Sequence, residues 1–151
     1  FTPEVQWTFS DFVFATVLIL DVAIPLELVV QRTHGAYRIA SALALVTAFL
    51  LIWSNAAVGI TDSPADALYP LVVLLGGIGA AVVRFRPEAL SRVIFGVVVL
   101  MGLIGSGALL AGVVPPHNSG LQLFAIHAFF AVPLLGAALL FRRAHRSPHG
   151  V

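Results

Sequence analysis

Residues 10–30, SDFVFATVLILDVAIPLELVV, constrain the rest of the chain. The run is long and apolar enough to cross a bilayer, whose hydrocarbon core asks for about 20 residues of helix. Yet Asp21 stands near its middle, Pro25 follows one turn later, and Glu27 lies near its far end. A charged side chain at bilayer depth costs about 2.5–3.5 kcal/mol on insertion scales. Any fold of this chain therefore has to hide, pair or hydrate Asp21.

Four more apolar runs follow, and the connections between them are short. Of the 151 residues, 60% are hydrophobic and 10% charged, with a mean hydropathy of +1.03. Soluble domains carry about 25% charged residues, so lipid has to be the main solvent for this chain. The pattern predicts one all-α domain over residues 1–151, an integral membrane bundle of five transmembrane helices. The spans fall at 10–30, 39–60, 67–83, 93–114 and 121–141. The third is the shortest: at 1.5 Å per residue it covers about 25 Å, less than the ~30 Å hydrocarbon core. No basic segment precedes the first run, which is therefore read as a span and not as a secretory signal.

All eight basic residues are Arg, and their placement orients the bundle. Arg32 and Arg38 flank the first turn, Arg84, Arg86 and Arg92 the third, and Arg142, Arg143 and Arg146 follow the last span. Five spans put all of these on one side. Glu4, Asp11, Asp62 and Asp66 fall on the other. Arginine-rich loops stay in the cytoplasm, so the expected topology is N-terminus outside and C-terminus cytoplasmic.

Several chemistries are excluded. Without Lys there is no Schiff base, and without Cys no disulfide, thiolate metal site or iron–sulfur cluster. No phosphate-cradling glycine loop appears, and no basic stripe with interleaved aromatics points to nucleic acid. No catalytic residues and no metal ligands are assigned; a non-enzyme is favoured, and an intramembrane enzyme, for which Asp21 and His127 are the only candidates, has the least support.

The polar residues inside the spans are the candidate sites. Pro25 lacks an N–H and clashes with the carbonyl four residues back, which is that of Asp21. A freed carbonyl and a carboxyl group thus coincide near the midplane. That turn is either a proton-relay or cation site, or a neutral, hydrogen-bonded Asp tying helices together. Glu27 sits about 120° around the helix from Asp21, within reach of Arg32 and Arg38 as a structural ion pair. His127 enters the last span at a depth matching Asn55 in the second, so Asn55, His127 and Gln122 form a possible polar cluster. Pro133 is expected to kink the last span near its middle. Gly76 with Ala80, and Gly102 with Ser106, form small-xxx-small pairs that let spans three and four pack as a tight hairpin. Trp7, Tyr37 and Tyr69 read as interfacial belt residues.

No cofactor is predicted. A bis-histidine haem would need two His at one depth, whereas His34 and His117 lie in turns on opposite faces and His145 and His149 in the tail. A single axial bond from His127 to a haem or chlorin, or a His pair across subunits, is the alternative. The expected partners are the lipid bilayer and other membrane subunits or further copies of this chain.

Residues 53–60, WSNAAVGI, are followed by Pro64-Ala65-Asp66, Tyr69 and then Arg84-Phe85-Arg86-Pro87. This stretch resembles a group of small, uncharacterised bacterial membrane proteins. They carry a Trp, an Asn and an Ala-Val-Gly-Ile run at a helix end, then an acidic turn and a Tyr. The resemblance covers the second and third spans. It departs from the group at Thr61-Asp62-Ser63, where Gly and Glu are usual, and at Asp66, where Asn is usual. It implies a bacterial inner membrane and carries no function. The expectation is a non-catalytic subunit or scaffold of a membrane assembly. The alternatives are a proton- or cation-conducting protein centred on Asp21 and a tetrapyrrole-binding protein using His127.

Overall fold

The computed structural model describes residues 8–33, 35–61, 63–113 and 119–146, the Arg32 side chain excepted. The expectations placed on Glu4, Trp7, the Arg32 side chain, His34, Asp62, His117 and His149 lie outside the described residues. Within them the chain is all-helical: α1 (Phe9–Arg32), α2 (Gly35–Val58), α3 (Leu68–Val82), α4 (Pro87–Leu110) and α5 (Gly120–Arg146). A 3-10 turn, Pro64–Ala67, leads into α3. All five segments are long and apolar enough to cross a membrane, the third when its 3-10 turn is included.

Local chemistry sets the helix ends. The Asp11 carboxylate accepts the Thr8 N–H at 2.7 Å and opens α1. Pro87 opens α4 at a position where its missing N–H costs nothing. Gly112, at φ +68°, stops α4 and lets the Val113 N–H reach the Ala108 carbonyl at 2.9 Å. α5 runs five residues past the expected span, and Arg143, His145 and Arg146 in its last turn suit the negative end of the helix dipole. The tight α3–α4 turn holds Arg84 and Phe85 in the left-handed region at φ 53° and 56°. For residues with side chains that costs about 1–3 kcal/mol each. The Phe85 N–H bond to the Ala80 carbonyl, 3.0 Å, and the Tyr37 hydroxyl donating to the Phe85 carbonyl, 3.0 Å, hold it there.

Packing centres on α5, which lies against α4 and α2, while α3 lies against α4. The main core joins Leu51, Tyr69, Met101, Leu123, Phe130 and Leu134. A second cluster, Ala40, Leu90 and Phe141, closes the end that carries the α3–α4 turn. There Glu88 binds Arg92 and the His145 imidazole, the latter at 3.3 Å, tying the start of α4 to the end of α5.

The α3–α4 hairpin is close at Gly76 and Gly79. A Cβ on Gly76 would sit 2.9 Å from the Val97 side chain, and one on Gly79 2.9 Å from Val93. Ala80 packs against the second cluster. The expected second pair does not serve this contact. Gly102 has no atom within 4 Å of where its Cβ would be, and Ser106 is exposed. Gly102 lies five residues from Val97, about 140° around the helix, so it points away from α3.

α1 is peripheral. Only 6% of its most apolar window is buried, against 28% for α5. α2 is its principal neighbour, and Leu18 is its one buried residue among those described.

Candidate functional site

The most organised polar group lies at the end of the bundle opposite the arginines and grows out of the α2–α3 loop. Asp66 Oδ1 accepts the Ile60 N–H at 3.2 Å, the Thr61 N–H at 2.8 Å and the Thr61 hydroxyl at 2.8 Å. Asn55 Nδ2, near the end of α2, donates to the Asp66 carbonyl at 3.0 Å. The Ser63 hydroxyl accepts the Ala65 N–H at 3.1 Å and starts the 3-10 turn. One carboxylate therefore satisfies three donors of the loop that follows α2, and fixes the path that delivers α3.

Three residues beyond Asp66, Tyr69 enters the core with no exposed surface. Its hydroxyl lies 2.9 Å from His127 Nε2, and His127 Nδ1 lies 2.8 Å from the Leu123 carbonyl. A carbonyl only accepts, so Nδ1 carries the proton. In the neutral ring Nε2 then accepts from the Tyr69 hydroxyl, an assignment made from the partners. Gly105 of α4 backs the ring: a Cβ there would stand 2.6 Å from it. The imidazole is thus held by α3, α4 and its own helix.

This arrangement suits fastening better than ligation. Both ring nitrogens are engaged, so a haem or chlorin would have to take Nε2 from Tyr69. A groove of about 300 Å³ runs beside His127 between α4 and α5, lined by Gly102, Gly105, Ser106, Phe124 and Ala128. Among the described residues no group of three or more His, Asp or Glu side chains could hold a metal ion.

The other candidates are placed apart from this cluster. Asn55 shares its end of the bundle, but through Asp66, and its Oδ1 is buried without a partner among the described residues. Gln122 instead exchanges hydrogen bonds with Ser119 at the start of α5, 2.7 and 3.2 Å. Glu27 is exposed and accepts from Gln31 Nε2 at 2.5 Å, while Arg38 Nε donates to the Thr33 carbonyl at 2.8 Å. The expected Glu27–Arg38 pair is therefore not formed. Pro133 lies inside α5, and Pro25 inside α1. Pro25 borders an apolar cavity of about 240 Å³ that Tyr37, Ser41, Ala44, Gly76 and Ala80 also line.

Asp21 is exposed midway along α1 and takes no hydrogen bond or ion pair from any described residue. The bundle neither hides nor pairs it. On the same flank stand Val17 and Ile24, 56% and 57% exposed, with Phe14 and Leu28 beyond them.

Asp66 and Tyr69 carry the cluster, and sequence reasoning had given them only a side of the membrane and an interfacial role. One signal was available. A Tyr one turn after a Ser-Pro-Ala-Asp loop, entering an apolar helix, needs a partner for its hydroxyl, and His127 is the polar side chain at matching depth.

Comparison of the chain with protein families, with curated proteins and with solved structures finds no match.

Proposed function

We propose that this protein is an integral membrane bundle that serves as a non-catalytic subunit or scaffold of a membrane assembly. Its N-terminus lies outside and its C-terminus in the cytoplasm of a bacterial inner membrane. Five apolar helices support insertion. Arg84, Arg86 and Arg92 around the α3–α4 turn, with Arg142, Arg143 and Arg146 at the end of α5, support the orientation. The observation that carries the assembly role is α1. A helix in which Leu18 is the one buried residue among those described, with a carboxyl half-way along its open flank that no described residue pairs, is unfinished as a monomer in lipid.

A conduction path through one copy gains no support, because Asp21 faces out of the bundle instead of lining a passage. The tetrapyrrole reading gains none either, since Tyr69 and the Leu123 carbonyl engage both His127 nitrogens.

The test is gentle purification from native membranes with stoichiometric identification of what accompanies the chain, and an absorption spectrum of the product. A colourless assembly of this chain with itself or with fixed partners is expected. A lone monomer overturns the assembly reading. A visible band lost in His127→Ala replaces it with the cofactor reading.

A further inference from the structure

We propose that the apolar cavity beneath the α3–α4 turn holds one acyl chain of an anionic phospholipid from the cytoplasmic leaflet, with the lipid phosphate at Arg84 and Arg86. The site rests on the insertion and orientation given above and does not need the assembly role.

All five helices line this cavity, whose volume is about 240 Å³. Protein interiors leave few voids larger than a water molecule, and an engineered apolar cavity of about 150 Å³ stays dry and takes up apolar guests. The shape narrows the choice of guest. Along α2 the lining runs from Tyr37 to Leu51, about 21 Å at 1.5 Å per residue. That is more than one leaflet's half of the ~30 Å hydrocarbon core. So small a volume over that length is a narrow channel, which fits one alkyl chain and not a flat ring system. Its facing walls carry Ala44 and Ala48 on α2, and Gly76, Gly77 and Ala80 on α3. Small residues let two membrane helices close on each other, yet here the space between them stays open. The channel also has a side mouth, since Gly77 and Phe85 of its lining are exposed. A lipid seated there keeps its second chain in the bilayer.

Polarity and charge select the head. Tyr37 and Ser41 are the only polar side chains in the lining, one turn apart at the end that carries the arginines. The Tyr37 hydroxyl donates to the Phe85 carbonyl and holds the turn over the channel. Arg84 and Arg86 stand on either side of Phe85, both exposed, and neither guanidinium meets an acceptor among the described residues. Glu88, the acid nearest to them in sequence, is engaged by Arg92 and His145. Two such guanidinium groups at the mouth of an alkyl channel match a phosphate, which they hold by charge-assisted hydrogen bonds. Anionic lipids give the cytoplasmic leaflet its negative surface.

The test is the thermal midpoint of the delipidated chain in detergent, read with and without added lipid. A ligand that binds the folded form raises it by mass action. Dioleoyl-phosphatidylglycerol is expected to raise it by several degrees, dioleoyl-phosphatidylcholine by less, and glycerol phosphate, a head without chains, not at all. Gly77 lines the channel with nothing within 4 Å of where its Cβ would be. Gly77→Leu is therefore expected to fill it and lose the response to both lipids. Ala44→Leu fills the same space from the opposite wall and replaces it if Gly77→Leu does not fold. Arg84→Gln with Arg86→Gln is expected to bring the phosphatidylglycerol response down to that of phosphatidylcholine. Gly107→Leu, exposed on α4 and outside the lining, is expected to respond as the parent does. A filled variant that responds like the parent means that lipid only coats the surface, and overturns the proposal. So do equal responses of the parent to the two lipids, no response to either, or a full response to glycerol phosphate. A chain that responds as expected but is a lone monomer overturns the assembly reading and leaves this one standing.

Discussion

The imidazole of His127 has no spare valence for chemistry and a clear part in holding helices. Its Nε2 takes the Tyr69 hydroxyl and its Nδ1 the Leu123 carbonyl, while Gly105 leaves room for the ring. Tyr69→Phe removes the donor and strands a buried nitrogen, which costs about 1–3 kcal/mol. A lowered thermal midpoint in detergent or lipid, with the helical circular dichroism kept, is the expected result. Gly105→Ala drives a methyl into a ring that two hydrogen bonds prevent from moving aside. Overpacking of that kind costs about 1–3 kcal/mol, whereas Gly102→Ala, three residues away with open space around it, is expected to leave the midpoint unchanged. The sequence made His127 and Asn55 legible because polar atoms in an apolar run stand out. It did not reveal Tyr69, because a Tyr near a helix end looks the same whether it faces headgroups or the core. That difference is set by the Asp66 loop, whose bonds to Ile60 and Thr61 are too irregular to show as a periodic pattern.

Periodicity and charge found all five helices, since each is a long apolar run bounded by polar turns. Which face of a helix meets which neighbour was less legible. Small residues occur on several sides of α3 and α4, and spacing alone matched Gly76–Ala80 and Gly102–Ser106 equally well. The deciding groups are Val93 and Val97, whose branched side chains fill the notches at Gly79 and Gly76. Gly76→Leu is therefore expected to push α3 off α4 and lower the thermal midpoint markedly. Gly77→Leu, exposed and with nothing within 4 Å, is expected to have little effect. If the two variants behave alike, the hairpin does not pack on the Gly76 face. The loop into α3 gives a second test. Asp66→Ala leaves the Ile60 and Thr61 N–H groups without their acceptor, at about 1–3 kcal/mol for unsatisfied buried donors. Because Tyr69 follows that loop, its bond to His127 is expected to loosen as well. In a double-mutant cycle the combined loss from Asp66→Ala and Tyr69→Phe should fall short of the sum of the two singles.

For the molecule as a whole, the two ends differ in kind. One carries Arg38, the strained Arg84–Phe85 turn, Arg92 and the α5 terminus with Arg142, Arg143 and Arg146. The other carries Asp11, Asp66 and the Tyr69–His127 fastening. Short loops of this type are sorted by their arginines, which stay on the cytoplasmic side, while acidic residues contribute little. The sorting is also cumulative, since arginines at three separate points of the chain favour one orientation. A reporter fused after Val151 is expected to read cytoplasm. Leu121→Cys, exposed at the start of α5, is expected to react with an impermeant thiol reagent in intact cells. Replacing Arg84 and Arg86 together with Gln is expected to leave both readings in place, because the arginines of α2, α4 and α5 still agree. The opposite pair of readings would reverse the orientation. A C-terminal reporter on the same side as Leu121 would mean that α5 does not cross, and the five-span architecture would fall with it.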